Sequence, residues 1–329
     1  MLVRRRGFLL AAGALAAAPL VVRAQAEQKI RRIGFLGISS DTPAVQGLLN
    51  EFREGMATLG WAEGRNYARV DRWAHGDMAR LPALAAELVG LRPDALMAGA
   101  TESAVALKNA TRAVPIVAIG TSDPVEIGLA LNLARPGGNI TGPSFAFPEL
   151  LAKQLEILKE AFPRASRIGA LMHGEMVTKP EAHRRLKNHG KALRLRIDTV
   201  EVSKPQDFQP AFQAMRDSRA EVVLVVGSGF MFAHRKALAD LALRYRLPSV
   251  WNIPTQADAG GLIAYGVDVR VLWRRAAVFM DKILRGANPG EIPFERPSKF
   301  ELVVNLKTAN ALGISIPRPL LLRADRVIE

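Results

Sequence analysis

The stretch Arg32-Ile33-Gly34-Phe35-Leu36-Gly37 decides the fold class of this chain. It is an apolar run bounded by glycine and too short for a helix, so it predicts a buried β-strand. Apolar residues then recur at helical spacing from Val45 to Leu59, which predicts an amphipathic helix that Gly60 ends. Further strands are predicted at residues 67–73, 94–100 and 115–120, with a helix at residues 81–88. Strands separated by helices form βαβ units, so the sequence predicts a parallel sheet with helices on both faces.

The same pattern restarts in the second half of the chain. A second Arg-Ile-Gly strand is predicted at residues 167–172, after a helix at residues 150–162. Residues 222–226 are almost entirely valine and predict a central strand that is buried on both faces. Two further strands are predicted at residues 193–202 and 248–251. We therefore expect an α/β fold of two lobes, each built on a doubly wound parallel sheet.

Turn signals mark the boundaries between the two lobes. Pro136-Gly137-Gly138-Asn139, followed by Gly142-Pro143, indicates a first crossing within residues 135–144. The pair Gly260-Gly261 and a proline-rich loop indicate later crossings; the loop holds Pro289, Pro293 and Pro297. The expected lobe 1 comprises residues 27–142 with about 254–297, and the expected lobe 2 comprises residues 143–253 with about 298–329.

Residues 1–26 carry the pattern of an export signal peptide. Arginines at positions 4–6 precede an apolar run that extends to Val22, and the small residues that follow favour cleavage after Ala24 or Ala26. The pair Arg5-Arg6 also fits a twin-arginine signal, so both the Sec and the twin-arginine routes stay open. The alternative is an uncleaved membrane anchor, but the run is shorter than the roughly 20 residues that a spanning helix needs. We expect a protein that works in the periplasm or otherwise outside the cytoplasm.

Composition excludes several classes of function. The chain has no cysteine, which excludes disulfides, thiolate nucleophiles and cysteine-ligated metals. Its net charge is +14, and removal of a leader with four arginines and no acid would leave +10. The basic residues are scattered along predicted helix faces rather than clustered, so we expect no nucleic-acid partner. No other apolar segment approaches membrane-spanning length, so membrane contact is expected only through a partner protein.

Small polar residues follow several predicted strands at the point where the next helix begins. In open parallel sheets, ligands bind outside the carboxyl ends of the strands, where helix N-termini offer free N–H groups. Each cluster alone could be a helix N-cap, for which Ser, Thr and Asp are preferred residues. Together they predict a polar cleft between the lobes. The candidate ligand-binding residues in these clusters are Ser39, Ser40, Thr101, Glu102, Ser103, Thr121, Ser122, Asp123, His173 and Ser228.

Aromatic side chains near strand ends are candidates for contact with a planar ligand. Trp251 and Tyr265 could flank such a ligand or form an apolar wall, and core packing is the alternative for both. Phe230 could also reach the cleft, although the sequence favours a core position for it.

The sequence does not support a catalytic or metal site. The nearest approach to a nucleophile elbow is Gly227-Ser228-Gly229, but the only later histidine, His234, lies in the same predicted helix. The five histidines show no metal-ligand spacing backed by acids, apart from the loose pair His183 and His189. Neither a phosphate loop nor a dinucleotide fingerprint occurs. We expect no enzyme activity, no cofactor and no metal.

Longer motifs resemble one known family along nearly the whole mature chain. The motifs occupy residues 60–66 (GWAEGRN), 80–89 (RLPALAAELV), 123–125 (DPV), 133–142 (LARPGGNITG), 260–262 (GGL), 265–266 (YG), 281–287 (DKILRGA), 299–309 (KFELVVNLKTA) and 320–325 (LLLRAD). Together they are similar to the tryptophan/tyrosine type of ABC-transporter substrate-binding proteins, which have a type I periplasmic binding protein-like fold. The resemblance implies two lobes joined by hinge strands, and a ligand cleft that closes over a small solute. It also implies an ABC permease and ATPase as partners, and no catalysis.

Several positions in the expected cleft depart from the pattern of that family. Glu102 stands where proline is common, His173-Gly174 where Asn-Pro is common, Ser228 where an acid is common, and Ala264 where serine is common. These departures do not change the expected fold, but they affect which ligand the cleft is expected to bind.

The function expected from the sequence is capture of a small organic solute, an amino acid or other carboxylate, and its delivery to an ABC permease. Helix-end amides with Thr101, Thr121 and Ser122 would receive a carboxylate, whereas Asp123 or Glu102 could pair with an ammonium group. The alternative function is an extracytoplasmic sensor or receptor domain of the same fold. An exported hydrolase that uses Ser228 is a third hypothesis.

Overall fold

Strands and helices alternate along the chain. The computed structural model describes residues 30–145, 147–174 and 180–329, so the predicted leader at residues 1–26 lies outside the described residues. The strands are β1 (Arg31–Gly37), β2 (Tyr67–Trp73), β3 (Ala95–Ala98), β4 (Ile116–Ala118), β5 (Ile140–Thr141), β6 (Arg167–His173), β7 (Arg196–Val202), β8 (Val222–Val225), β9 (Ser249–Trp251), β10 (Ile263–Gly266), β11 (Glu301–Asn305) and β12 (Arg326–Ile328). The helices are α1 (Pro43–Thr58), α2 (Leu81–Gly90), α3 (Thr101–Ala110), α4 (Phe147–Ala161), α5 (Pro180–Ala192), α6 (Phe208–Asp217), α7 (Gly229–Ala233), α8 (Arg235–Arg244), α9 (Thr255–Asp258), α10 (Val269–Leu284), α11 (Leu306–Leu312) and α12 (Arg318–Arg323).

The first lobe is built on a parallel sheet in the order β2-β1-β3-β4-β5. Successive side chains of β1 point to opposite faces of this sheet. Ile33 and Phe35 therefore join a core with α1 and α10, whereas Leu36 joins a second core with α2 and α3. Helices cover both faces of the sheet, which confirms the doubly wound architecture predicted from the sequence.

The second lobe repeats this order and then extends it. Its sheet runs β12-β11-β10-β9-β8-β6-β7, so the strands from β7 to β10 are arranged as in the first lobe. The valine-rich strand β8 lies between β6 and β9, and all four of its residues are buried, as predicted. Strand β11 pairs antiparallel with β10, so β11 and β12 run against the other strands. This edge departs from the purely parallel sheet that the sequence predicts, because the chain enters it on its return from the first lobe.

The connections between the lobes lie side by side. Pro143 and Glu295 form a parallel β-bridge, and the Ser144 hydroxyl donates a hydrogen bond to the Glu295 carbonyl (3.2 Å). The segment about 254–297 that the sequence assigns to lobe 1 begins too early. Strand β10 belongs to the second sheet, since its Ile263 lies between Val250 of β9 and Val304 of β11. The chain therefore returns to the first lobe after β10, and α10 packs against the first core.

Within the described ranges, no helix combines the length and the apolar character that a bilayer crossing requires.

Candidate functional site

A pocket lies between the lobes at the carboxyl ends of both sheets. On the first lobe it is lined by the turn after β1 and by the start of α3, where the strand order reverses between β1 and β3. On the second lobe it is lined by Gly227, Ser228 and Gly229, which follow β8, and by Asn252 and Ile253, which follow β9. The cavity volume of the pocket is about 80 Å³, and all the space between its lining atoms, with the open solvent at its mouth, amounts to about 820 Å³. Ligands of doubly wound sheets bind at such reversal points, so the topology and the cavity indicate the same site.

Five aromatic rings contribute to the apolar wall of the pocket, together with aliphatic side chains. The rings belong to Phe35, Trp73, Phe145, Phe232 and Trp273. The Phe35 ring meets Trp73 edge-on at a centroid distance of 5.1 Å and Trp273 edge-on at 5.6 Å. These edge-to-face contacts are a favourable aromatic geometry. The rings of the first lobe are therefore held in fixed orientations before any ligand arrives.

Glycines at the strand ends make room for these rings. A Cβ atom at Gly37 would lie 2.4 Å from the Trp73 ring, and one at Gly120 would lie 2.7 Å from the Phe145 ring. Gly120 also has a φ of +64°, a conformation that favours glycine. The glycine after each strand thus allows an aromatic side chain to reach the pocket wall.

The polar side chains of the pocket carry hydroxyl and amide groups. The Ser122 N–H donates to Thr101 Oγ1 at 3.0 Å, and the two hydroxyl oxygens lie 3.5 Å apart. Ser39 lies on the same lobe, and Ser228 faces the pocket from the second lobe. Helix α3 begins beside these groups, and its N-cap residue, Ala100, has no side chain that could accept from the first N–H groups. The first lobe therefore presents hydroxyls and backbone N–H donors to the cavity.

Asn252 has a polar atom with no partner in the described protein. Its side chain lines the pocket and is only 3 % exposed, and its amide packs against Gly227, where a Cβ would overlap it. No hydrogen-bond partner accompanies Asn252 Oδ1 within the part of the chain that the structure describes. The oxygen itself is buried, so in this arrangement it is covered by protein atoms and does not face the cavity.

The lobes also touch directly at Glu102, beside the pocket. Its carboxylate accepts hydrogen bonds from the backbone N–H groups of Gly229 and Phe230 on the second lobe, at 3.3 Å each. His173 Nδ1 lies 4.0 Å from the same carboxylate, and the His173 ring stacks on Phe230 with a centroid distance of 4.6 Å. The structure therefore represents a closed arrangement, in which Glu102 spans the two lobes.

Two histidines, the buried His173 and the half-buried His234, lie at this interlobe contact. Burial lowers the pKa of His173 below its usual value, although Glu102 is near. Burial also lowers the pKa of His234, and a hydrogen bond to the backbone of Gly76 on the first lobe opposes part of that shift. Both rings are therefore favoured in the neutral form while the lobes are closed.

Four of the twelve residues predicted from the sequence line the pocket. They are Ser39, Thr101, Ser122 and Ser228. All four residues follow the carboxyl ends of strands, where ligands of open parallel sheets are expected to bind.

Eight predicted residues do not line the pocket, because they have other partners or are buried elsewhere in the protein. Ser40 contacts His75 Nδ1 at 3.1 Å, and Asp123 accepts from the N–H groups of Val125 and Glu126. The other six are Glu102 and His173, which lie in the interlobe contact, Ser103 and Thr121, which are fully buried, and Trp251 and Tyr265.

Neither Trp251 nor Tyr265 lines the pocket: Trp251 lies in the interior of the second lobe, and the half-buried Tyr265 packs against the core of that lobe. Trp251 is fully buried, and its Nε1 donates to Ser249 Oγ at 2.8 Å. Tyr265 stacks on Phe300 at a centroid distance of 5.8 Å, and burial raises the pKa of its hydroxyl. Both residues lie in strands, where their side chains point across the sheet and not beyond its end.

The aromatic wall of the pocket was not predicted from the sequence. Trp73 ends a predicted strand and could have been found by the argument that selected Trp251. Trp273 lies on α10, which reaches the site from the far end of the chain, and no local signal marks it. Among the described residues, no group of three or more histidine, aspartate or glutamate side chains could hold a metal ion.

Comparison with known proteins assigns the family. Residues 38–328 match the family described as ABC transporter substrate binding protein. The chain belongs to the ABC transporter substrate-binding protein family. Members of this family bind solutes and are not enzymes, which confirms the expectation of a binding function. The family implies a small-molecule ligand and an ABC transporter as partner, and its members typically work outside the cytoplasm.

Individual relatives agree with this family and with the fold. A tyrosine-binding protein from Clostridioides difficile is 25 % identical over 281 residues, which cover 85 % of this chain and 81 % of the relative. A conserved domain protein from Vibrio cholerae has a TM-score of 0.84 at 26 % identity, with 91 % of this chain and all of the other covered. An ABC domain from Streptococcus pneumoniae in complex with L-Trp has a TM-score of 0.83 at 24 % identity, with the same coverage. The substrate-binding protein therefore has the predicted two-lobed periplasmic binding protein-like fold.

Proposed function

We propose that this substrate-binding protein is exported, captures a small aromatic solute between its lobes and delivers it to an ABC permease. The observation that carries the proposal is the pocket wall, in which five aromatic rings from both lobes surround a cavity at the carboxyl ends of the two sheets. Burying an apolar side chain the size of a phenyl group contributes about 1.5–3 kcal/mol. A planar apolar group is therefore the part of the solute that this pocket binds best.

The polar groups of the pocket would orient the solute. Hydroxyls of Thr101 and Ser122 lie beside the start of α3, where free N–H groups favour an anionic oxygen. The named activities of two relatives support an aromatic solute, since one binds tyrosine and the other holds L-Trp. A solute with its carboxylate at the start of α3 and its ring against the aromatic wall would contact both the polar and the apolar surface of the pocket.

Closure and export fit delivery to a membrane transporter. The lobes meet through Glu102 and the N-terminal residues of α7, so a solute in the pocket is largely enclosed until the lobes part. The basic leader and apolar run at residues 1–26 would bring the protein to the side of the membrane where it meets solutes. An ABC permease and its ATPase are the proposed partners.

A thermal-shift screen with aromatic solutes tests the binding site. A solute at 100 times its dissociation constant stabilises the folded protein by about 2.7 kcal/mol. We expect Trp73→Ala to abolish most of the shift, because Trp73 lines the pocket. Trp61→Ala is the matched control, since Trp61 donates to Asp281 outside the pocket. It should lower the melting temperature and keep the ligand shift. Equal loss of the shift in both variants would contradict the proposed site.

Uptake measurements separate transport from the alternative sensor function. Deletion of the gene for this chain should stop uptake of the solute that binds best, and the purified protein should associate with a permease. Normal uptake in the deletion strain, with association to a membrane receptor or kinase instead, would favour the sensor function.

A further inference from the structure

The charges around the pocket restrict the class of solute. Ionisable side chains are absent from the pocket lining formed by residues 30–145, 147–174 and 180–329. We infer that the solute is an aromatic carboxylate that carries no ammonium group. The inference rests on the proposed function and makes its substrate class specific: an aryl or indolyl alkanoate rather than an aromatic amino acid.

An ammonium group would gain little stabilisation in this pocket. It is a full positive charge with three N–H donors, and its burial without an opposite charge is costly. The Glu102 carboxylate accepts from the N–H groups of Gly229 and Phe230, and Glu102 is not among the residues that line the cavity. Asp123 accepts from the N–H groups of Val125 and Glu126 and is also outside the lining. Asn252, which lines the pocket, is a neutral amide and supplies no charge that would balance an ammonium group.

A carboxylate, by contrast, has receiving groups on the first lobe. Helix α3 is ten residues long, and its first N–H groups lack a side-chain cap because Ala100 stands at the N-cap. Its positive end faces the cavity together with the hydroxyls of Thr101 and Ser122. Hydrogen bonds from such groups stabilise an anion without a cationic side chain.

The aromatic wall suggests what the other end of the solute carries. An indole or phenyl ring is planar and apolar, so it would contact the rings of Phe35, Trp73 and Trp273. One molecule can therefore satisfy the anion-receiving groups of the first lobe and the apolar wall together.

Matched pairs of compounds test this inference by calorimetry on the purified mature protein. The pairs differ only by the ammonium group: indole-3-propionate against L-tryptophan, and 3-(4-hydroxyphenyl)propionate against L-tyrosine. We expect the ammonium-free acid of at least one pair to bind roughly tenfold tighter or more, because the described residues of the lining offer no opposite charge to the ammonium. Equal or tighter binding of the amino acids overturns the inference and leaves the proposed function standing. No binding of any of the four compounds overturns the aromatic solute itself.

A charged variant of Ser228 provides a second, independent readout. Ser228 caps α7 by accepting from the Met231 N–H, and both Asp and Asn are good N-cap residues, so both variants should fold. We expect Ser228→Asp to weaken the acid and to strengthen the amino acid, which inverts their order. Ser228→Asn adds a similar volume without charge and should lower both affinities without inverting them. An unchanged order in Ser228→Asp would overturn the inference.

Discussion

At the scale of single residues, Glu102 connects ligand binding with lobe closure. Its carboxylate joins the first lobe to two N–H groups of the second, and hydrogen bonds to a charged group are stronger than neutral ones. We predict that Glu102→Gln weakens solute binding by about tenfold, equivalent to roughly 1.4 kcal/mol, because the closed form loses this contact. Calorimetry with the solute that binds best measures the loss.

The control for this variant is a carboxylate whose ion pair lies within one lobe. Glu87 pairs with Arg72 on the surface of the first lobe at 2.9 Å, so Glu87→Gln should leave solute affinity unchanged. The melting temperature of the unliganded protein should change little in either variant if closure is what Glu102 affects. A large drop in that temperature for Glu102→Gln alone would assign Glu102 to the stability of its own lobe instead.

At the scale of secondary-structure elements, the close approach of α1 and α10 holds a distant segment in the first lobe. A Cβ at Gly55 of α1 would lie 2.8 Å from the Ala277 Cβ and 2.8 Å from the Arg274 carbonyl oxygen of α10. We predict that Gly55→Ala destabilises the protein by about 1–3 kcal/mol, because the helices must separate. Equilibrium denaturation measures the change.

Gly47 on the same helix is the matched control. It is exposed, and nothing lies within 4 Å of where its Cβ would be. Gly47→Ala should therefore stabilise the protein by about 0.5–1 kcal/mol through helix propensity alone. The two substitutions are chemically identical, so effects of the same sign would contradict the close packing of α1 on α10.

Local sequence patterns predict individual strands and helices, but they do not predict which distant helix, such as α10, packs beside them. The valine run of β8 and the Arg-Ile-Gly strands are local patterns, so strands, lobes and the strand-end position of Thr101 and Ser228 follow from them. Trp273 reaches the pocket only because α10 returns across the lobe boundary, and local periodicity carries no such information. The position of Trp251 at the end of a strand predicts a place in the cleft, whereas its side chain points across the sheet into the core of the second lobe.

At the scale of the whole molecule, closure is linked to proton binding. His173 contacts Glu102 across the lobe interface, and a Cβ at Gly76 of the first lobe would lie 2.9 Å from the His234 ring. Burial lowers the pKa of both histidines from their usual 6.5 in the closed form. Parting of the lobes would remove these contacts and return each pKa toward that value. The open form therefore takes up protons first as the pH falls below 6.5, and the closed form loses relative stability until the pH reaches the lowered pKa values.

We therefore predict that solute affinity is constant above about pH 7.5 and falls by up to roughly tenfold per histidine at pH 5.5. The nearby Glu102 carboxylate would attract a protonated His173 and reduce this effect, so His234 should contribute the larger share. His234→Gln should flatten the pH profile of the dissociation constant. His189→Gln, on α5 of the second lobe, should leave the profile unchanged. An affinity that rises with acid, or a profile unaltered by His234→Gln, would show that closure does not depend on these neutral rings.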